Sequence, residues 1–182
     1  MAAKPIYERV TADADGEVVV FLIGMRINRF RSIRSWWPAF TAMPRMLREL
    51  GRDPHSGLLH HVLLTANPRV FYVVQYWESR EKLFAYASDP GARHRPAWAA
   101  FNRAVRAGRG AVGIWHETYA VPAGHYENIY FGMPPAGLGA AHGVIPVSRR
   151  GERAAERIGA GERVEAGERV AAAEQQAGRD AA

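Results

Sequence analysis

The sequence predicts an α+β domain of ferredoxin-like βαββαβ order, a four-stranded antiparallel sheet with two helices on one face. Three observations carry that expectation. Four short runs are rich in β-branched and aromatic residues, two amphipathic stripes of helical spacing separate them, and a three-residue turn joins the middle pair. The first run, EVVVFLIGMRINRF (17–30), becomes polar only at its end, as a strand covered on both faces for most of its length does. Ser32 then precedes Ile33, Trp36, Trp37, Phe40, Met43, Leu47 and Leu50, spaced three and four apart. Pro38 and Pro44 interrupt this stripe, which predicts a kinked helix ending at a left-handed cap on Gly51. Leu58–Ala66 and Val70–Glu78 read as an antiparallel hairpin about Asn67-Pro68-Arg69. Ser79 opens a second stripe of Leu83, Phe84, Ala87, Trp98, Phe101 and Val105, broken by DPGARHRP (89–96) and closed by Gly108 and Gly110. AVGIWHETYAV (111–121) is the fourth strand.

Composition divides the 182 residues further. Residues 1–16 read as an irregular lead-in, 17–122 as the α+β domain, 123–147 as a structured arm rich in Gly, Pro and aromatics, and 148–182 as a tail. The tail repeats Gly-Glu-Arg loosely and holds almost no large apolar residue, so it is expected to be disordered or marginally helical. Its charges balance, leaving the net +6 on the body, densest at Arg26, Arg29, Arg31 and Arg34. No nucleic-acid reader motif accompanies that cluster, so a solvated strand end or a collar around an acidic ligand is expected, with no nucleic-acid partner. The absence of cysteine excludes disulfides, thiolate metal sites and a cysteine nucleophile. No run approaches the roughly 20 apolar residues of a membrane span, and no apolar leader precedes the first strand, so a cytoplasmic protein without membrane contact is expected.

Two helices cover only one sheet face. A chain this rich in Val, Phe, Tyr and Trp should not leave the other bare. Pairing with a second copy is the economical solution, and folding the arm back over the sheet is the alternative.

The runs GIWHETY (113–119) and GHYENIYFGMPPAGL (124–138), with Trp77-Glu78-Ser79 and His94-Arg95-Pro96-Ala97-Trp98, resemble the dimeric α+β barrel superfamily. Within it the resemblance is to the family named for a fumagillin-pathway monooxygenase, and it covers roughly residues 7–140. It implies a homodimer with a ligand pocket between helices and sheet. A looser resemblance is to the haem-degrading branch, carried by Asn28 on the first strand, the Trp77-led helix start, Tyr86 and His94. Tyr86 stands where a tryptophan is usual, and Pro90 and Pro96 bracket the histidine. That resemblance permits haem without requiring it.

Four residues are candidate catalytic groups. His94 precedes a segment (96–107) whose helix dipole would disfavour an imidazolium and keep the ring able to ligate iron or accept a proton. Between Arg93 and Arg95 its plainer reading is a solvated surface histidine. Alternation puts Val112, Ile114, His116 and Thr118 on one face of the fourth strand, opposite Trp115, Glu117 and Tyr119. His116 is therefore either a pocket acid/base or a hydrogen-bonded member of the strand or dimer seam. Asn28 either caps the following helix or donates to a bound oxygen species, and Tyr86 is a second donor. Trp77, Trp98, Glu117, Tyr126 and Tyr130 are candidate substrate contacts. The tryptophans also read as core, and the two tyrosines also as anchors of the arm. His60 and His61 point to opposite strand faces, no paired-histidine motif exists, and no metal site is expected.

The resemblance, with these residues, implies a monooxygenase-like oxidoreductase acting on a hydrophobic or aromatic small molecule, either without a cofactor or with haem on His94. The alternatives are a haem enzyme of the same fold (a monooxygenase or dehydratase) and a non-catalytic dimeric ligand-binding or stress protein.

Overall fold

The computed structural model describes residues 4–89 and 110–159. Its elements in chain order are β1 (Val10–Ala12), β2 (Val18–Ile27), α1 (Ile33–Leu50), β3 (Leu58–Asn67), β4 (Val70–Trp77), α2 (Arg80–Ser88), β5 (Val112–Val121), α3 (Gly137–His142), β6 (Val144–Pro146), a 3-10 turn (Val147–Arg149) and α4 (Ala154–Arg157). The chain divides into two compact units, residues 19–119 and residues 1–18 with 120–182.

The first unit is the expected ferredoxin-like sheet, with strand order β3-β4-β2-β5. β4 pairs antiparallel with β2, Phe21 opposite Gln75 and Val19 opposite Trp77. It pairs antiparallel with β3 on its other side, Leu64 opposite Tyr72 and Val62 opposite Val74. Strand alternation therefore gives Val19, Phe21, Ile23, Val73, Gln75 and Trp77 one common face. α1 and α2 lie on that face: Phe40 meets Phe71 at 5.1 Å between ring centroids, and Tyr86 meets Trp77 at 5.8 Å. Val19, Leu50, Trp77 and Leu83 form the buried cluster beneath them, with Phe21, Leu58 and Tyr86 packed against it. Burying four such side chains stabilises the helix–sheet contact by about 1.5–3 kcal/mol each.

The helices follow their local signals with one exception. The Ser79 hydroxyl accepts the Lys82 amide proton and starts α2. Pro38 and Pro44 sit inside α1, which runs unbroken to Leu50 because its apolar stripe packs on the sheet. Gly51 ends it at φ −70°, in the right-handed region rather than the expected left-handed cap. Its N–H still satisfies carbonyls of the last turn, so no αL residue is needed there. The second half of the second helical stripe, including His94, Trp98, Phe101 and Val105, lies outside the described residues.

The second unit replaces the irregular lead-in with pairing. β1 pairs antiparallel with β6, and bridges join Ile6 to Met133 and Val10 to Tyr130. The Asn128 side-chain oxygen accepts from the Ala12 amide at 2.7 Å and the Thr11 hydroxyl at 3.2 Å. Buried Arg157 on α4 pairs with Glu127, and Arg150 pairs with Asp15 at 2.6 Å. The arm is thus structured, held by the N-terminal segment and by the start of the region expected to be a tail. No helix among the described residues is long and apolar enough to cross a membrane.

Candidate functional site

Between α1, α2 and the helix-covered face of the sheet lies a cavity of about 580 Å3. The helices contribute Ala39, Ala42, Met43, Met46, Leu50, Leu83, Phe84, Tyr86 and Ala87, and the strands contribute Phe21, Ile23, Gln75, Trp77, Ile114, His116 and Thr118. Small residues at 39, 42 and 87 leave the space that larger ones would fill. The walls are apolar and the few polar groups sit on specific elements, as ligand sites are built.

His116 reaches this cavity because β5 alternates, putting 114, 116 and 118 inward. Its ring lies 5.6 Å from that of Phe21, and the residue is solvent-accessible. Tyr86 is half-buried, and burial, then the carboxylates of Glu49 and Asp89, push its phenol up to about 12. It therefore enters the cavity as a neutral hydroxyl, a donor and not a base. The Trp77 indole donates to the Gln75 side-chain oxygen at 3.0 Å, with both residues buried. Gln75 is not among the residues the sequence pattern singles out. Its signal was present as the one amide in the otherwise apolar or aromatic strand VFYVVQYW, two residues from Trp77 and so on the same face.

Asn28 is exposed, and its amide donates to the Gly110 carbonyl at 2.9 Å, tying the end of β2 to the start of β5. Glu117 is on the opposite face of β5 from His116, where it accepts the Tyr119 hydroxyl proton at 2.6 Å and raises the pKa of that phenol. Tyr126 and Tyr130 belong to the other compact unit. The Tyr126 hydroxyl reaches the carbonyls of Ala14 and Gly16 at 2.8 and 2.9 Å, and the Tyr130 hydroxyl accepts from the Gly139 amide at 2.9 Å. Both use their polar atoms to fasten backbone. His94 and Trp98 lie outside the described residues. Thus Tyr86, Trp77 and His116 line one cavity, Asn28 and Glu117 of the same unit are not among its lining residues, and Tyr126 and Tyr130 belong to the other unit.

Among the described residues no cluster of three or more His, Asp or Glu could hold a metal ion. For haem, the described lining supplies one imidazole, His116, and no Lys or Arg to meet the two propionates. The described residues do not by themselves compose a haem site.

Residues 18–138 match the family described as Monooxygenase af470-like, and the chain belongs to that family. The chain is 28% identical over 153 residues to Monooxygenase af470 of Aspergillus fumigatus, an alignment covering 79% of this chain and 52% of that protein. It therefore spans about half the length of that curated relative. SnoaB of Streptomyces nogalater, described as a cofactor-independent oxygenase, aligns at 15% identity and a TM-score of 0.40 over 57% of this chain and 91% of its own. A dimeric ferredoxin-like protein of unknown function from Jannaschia aligns at 16% identity and a TM-score of 0.38, over 54% of this chain and 97% of its own.

Proposed function

We propose that this member of the Monooxygenase af470-like family is a monooxygenase-like oxidoreductase. It takes a hydrophobic or aromatic small molecule into the cavity between the helices and the sheet, and it works as a homodimer without a cofactor. The observation that carries the reading is a largely apolar cavity lined by a single described imidazole, His116, and by a phenol held in its neutral form, Tyr86.

The chemistry that fits is oxygenation of a substrate ionised at carbon. A C–H acidified by a neighbouring carbonyl or phenolic ring gives its proton to His116, and the carbanion reacts with O2. One oxygen atom enters the substrate and the other leaves in water. An activated methylene that becomes a carbonyl supplies all four electrons and both protons of that water, so no external reductant is required. Apolar walls keep the carbanion from reprotonation, and the Tyr86 hydroxyl donates to the negative oxygen that develops. His94 remains a second candidate base.

The test is oxygen uptake by the purified full-length protein with electron-rich phenolic and polyene substrates, run beside a visible spectrum with and without added haemin. Substrate-dependent uptake by a colourless protein supports the reading. Uptake only after haemin develops a Soret band would replace it with the haem enzyme. Thermal stabilisation by such ligands with no uptake would replace it with a binding module.

A further inference from the structure

We propose that Gln75 is the polar anchor of the cavity: its amide N–H2 group grips an oxygen atom of an otherwise apolar ligand, and Trp77 sets the direction of that amide. The inference deepens the reading of this cavity as a substrate site and rests on it, but it makes a claim about binding that needs no turnover.

Gln75 is only 4% exposed, although it carries a primary amide in an apolar strand. Such a group is retained in a core only where its hydrogen bonds are made or where a ligand makes them. One half of the amide is accounted for. The indole Nε1–H of Trp77 lies 3.0 Å from Oε1, and an indole nitrogen can only donate. The oxygen must therefore face Trp77, and the assignment of oxygen and nitrogen follows from chemistry rather than choice. Trp77 is itself 2% exposed and packed in the core cluster, so it cannot swing away.

That leaves Nε2, with two hydrogens and no described residue accepting from it, on a side chain that lines the cavity. The side chain of Phe21, its register partner, offers no acceptor. What complements such a donor is an acceptor oxygen, such as that of a carbonyl, an enolate or a phenolate. Placement agrees with this. Gln75 is the register partner of Phe21 on β2, and His116 on β5 contacts the ring of Phe21 from the other side. A ligand lying over Phe21 would thus have its oxygen held at β4 and its acidic carbon toward β5. When His116 removes the proton, charge moves onto the oxygen that Gln75 already holds, and a fixed donor strengthens there without reorganisation.

The experiment compares 1-tetralone with tetralin, two ligands of one carbon frame that differ in the carbonyl oxygen. Equilibrium dialysis is run with the full-length protein, and the C=O stretch of bound 1-tetralone is read by difference infrared spectroscopy. The wild type should favour the ketone by about tenfold, the value of one well-made hydrogen bond, and should shift its C=O band to lower wavenumber. Gln75→Met, close in length and apolar, should abolish both the preference and the shift while still binding tetralin. Trp77→Phe should keep the amide but weaken both effects, because the oxygen is no longer held away. Should Gln75→Met melt before it can be assayed, Trp77→Phe carries the test alone. An unchanged preference and C=O band in a folded Gln75→Met overturns the proposal, as does a wild type indifferent to the carbonyl. Ketone preference without oxygen uptake by any substrate would sink the monooxygenase reading and leave the anchor standing.

Discussion

Removing the imidazole of His116 leaves the apolar walls of the cavity intact and takes away its one described nitrogen base. His116→Ala is therefore expected to lower the turnover number for oxygen uptake by about 10²–10⁴-fold with little change in KM, the pattern of a group acting in proton transfer. An oxygen electrode reads both parameters, and a variant that loses affinity but not turnover would make His116 a binding residue. Tyr86 gives a second, independent expectation. Its phenol titrates near 12 in the fold against 10.0 in the open chain, so the folded state holds its proton more tightly. The stability this contributes is complete below about pH 10 and is lost as pH rises toward 12. Thermal melts from pH 8 to 11 should fall more steeply for the wild type than for Tyr86→Phe. His116 and Asn28 differ in how readable they are in the sequence. The inward face of His116 follows from alternation along one strand, a local property. That Asn28 uses its amide on Gly110 follows from a contact 82 residues away in sequence, which no local pattern encodes.

Strands and helices with strong periodicity were legible, and short pieces joined over long separations were not. β2, α1, β3 and β4 fall within a few residues of their predicted bounds because each repeats its apolar pattern over eight or more positions. β1 has three residues, too few for any period, and its partner β6 lies more than 130 residues later. Close packing between elements is also invisible locally. Gly24 in β2 looks like an interruption of an apolar strand, yet a Cβ there would lie 2.5 Å from Nε1 of Trp115 on β5. Glycine is what lets the indole approach β2 this closely, with its ring 5.5 Å from that of Tyr72 between centroids. Gly24→Ala should displace Trp115 and destabilise the sheet by about 1–3 kcal/mol, the usual cost of overpacking. Denaturant unfolding measures it, and a loss below about 0.5 kcal/mol would mean that the indole has somewhere else to go.

The whole sheet has two faces of different fate. α1 and α2 cover one. On the other, alternation gathers Leu22, Val62, Leu64, Tyr72, Val74, Tyr76, Trp115 and Tyr119, of which Leu64 is 46% and Tyr119 48% exposed in the single chain. A contiguous apolar layer of this kind is what a second copy would cover, and the homodimer proposed here uses it. Leu64→Glu should therefore give a monomer, or an aggregate, in sedimentation velocity at micromolar protein, whereas an unchanged dimer would place the interface elsewhere. In a homodimer built on this face, association is expected to depend on pH. His60 pairs with Tyr76 in the register, and burial, then the neighbouring His61, already lower its pKa below 6.5 in the single chain. Covering the face would deepen that burial, so the dimer would bind fewer protons than the separated chains in a window below pH 6.5. Linkage then requires association to strengthen as pH rises through that window and to be fully developed above it. Glu117, on the same face, is a carboxylate whose attraction for the imidazolium would oppose this, so the sign of the pH effect is informative. Sedimentation at pH 5.5 and pH 8 should show weaker dimerisation at the lower value, and His60→Gln should flatten the difference while leaving the pH 8 dimer intact. A wild-type dimer tighter at pH 5.5 would place His60 beside a carboxylate of the partner and not in an apolar seam.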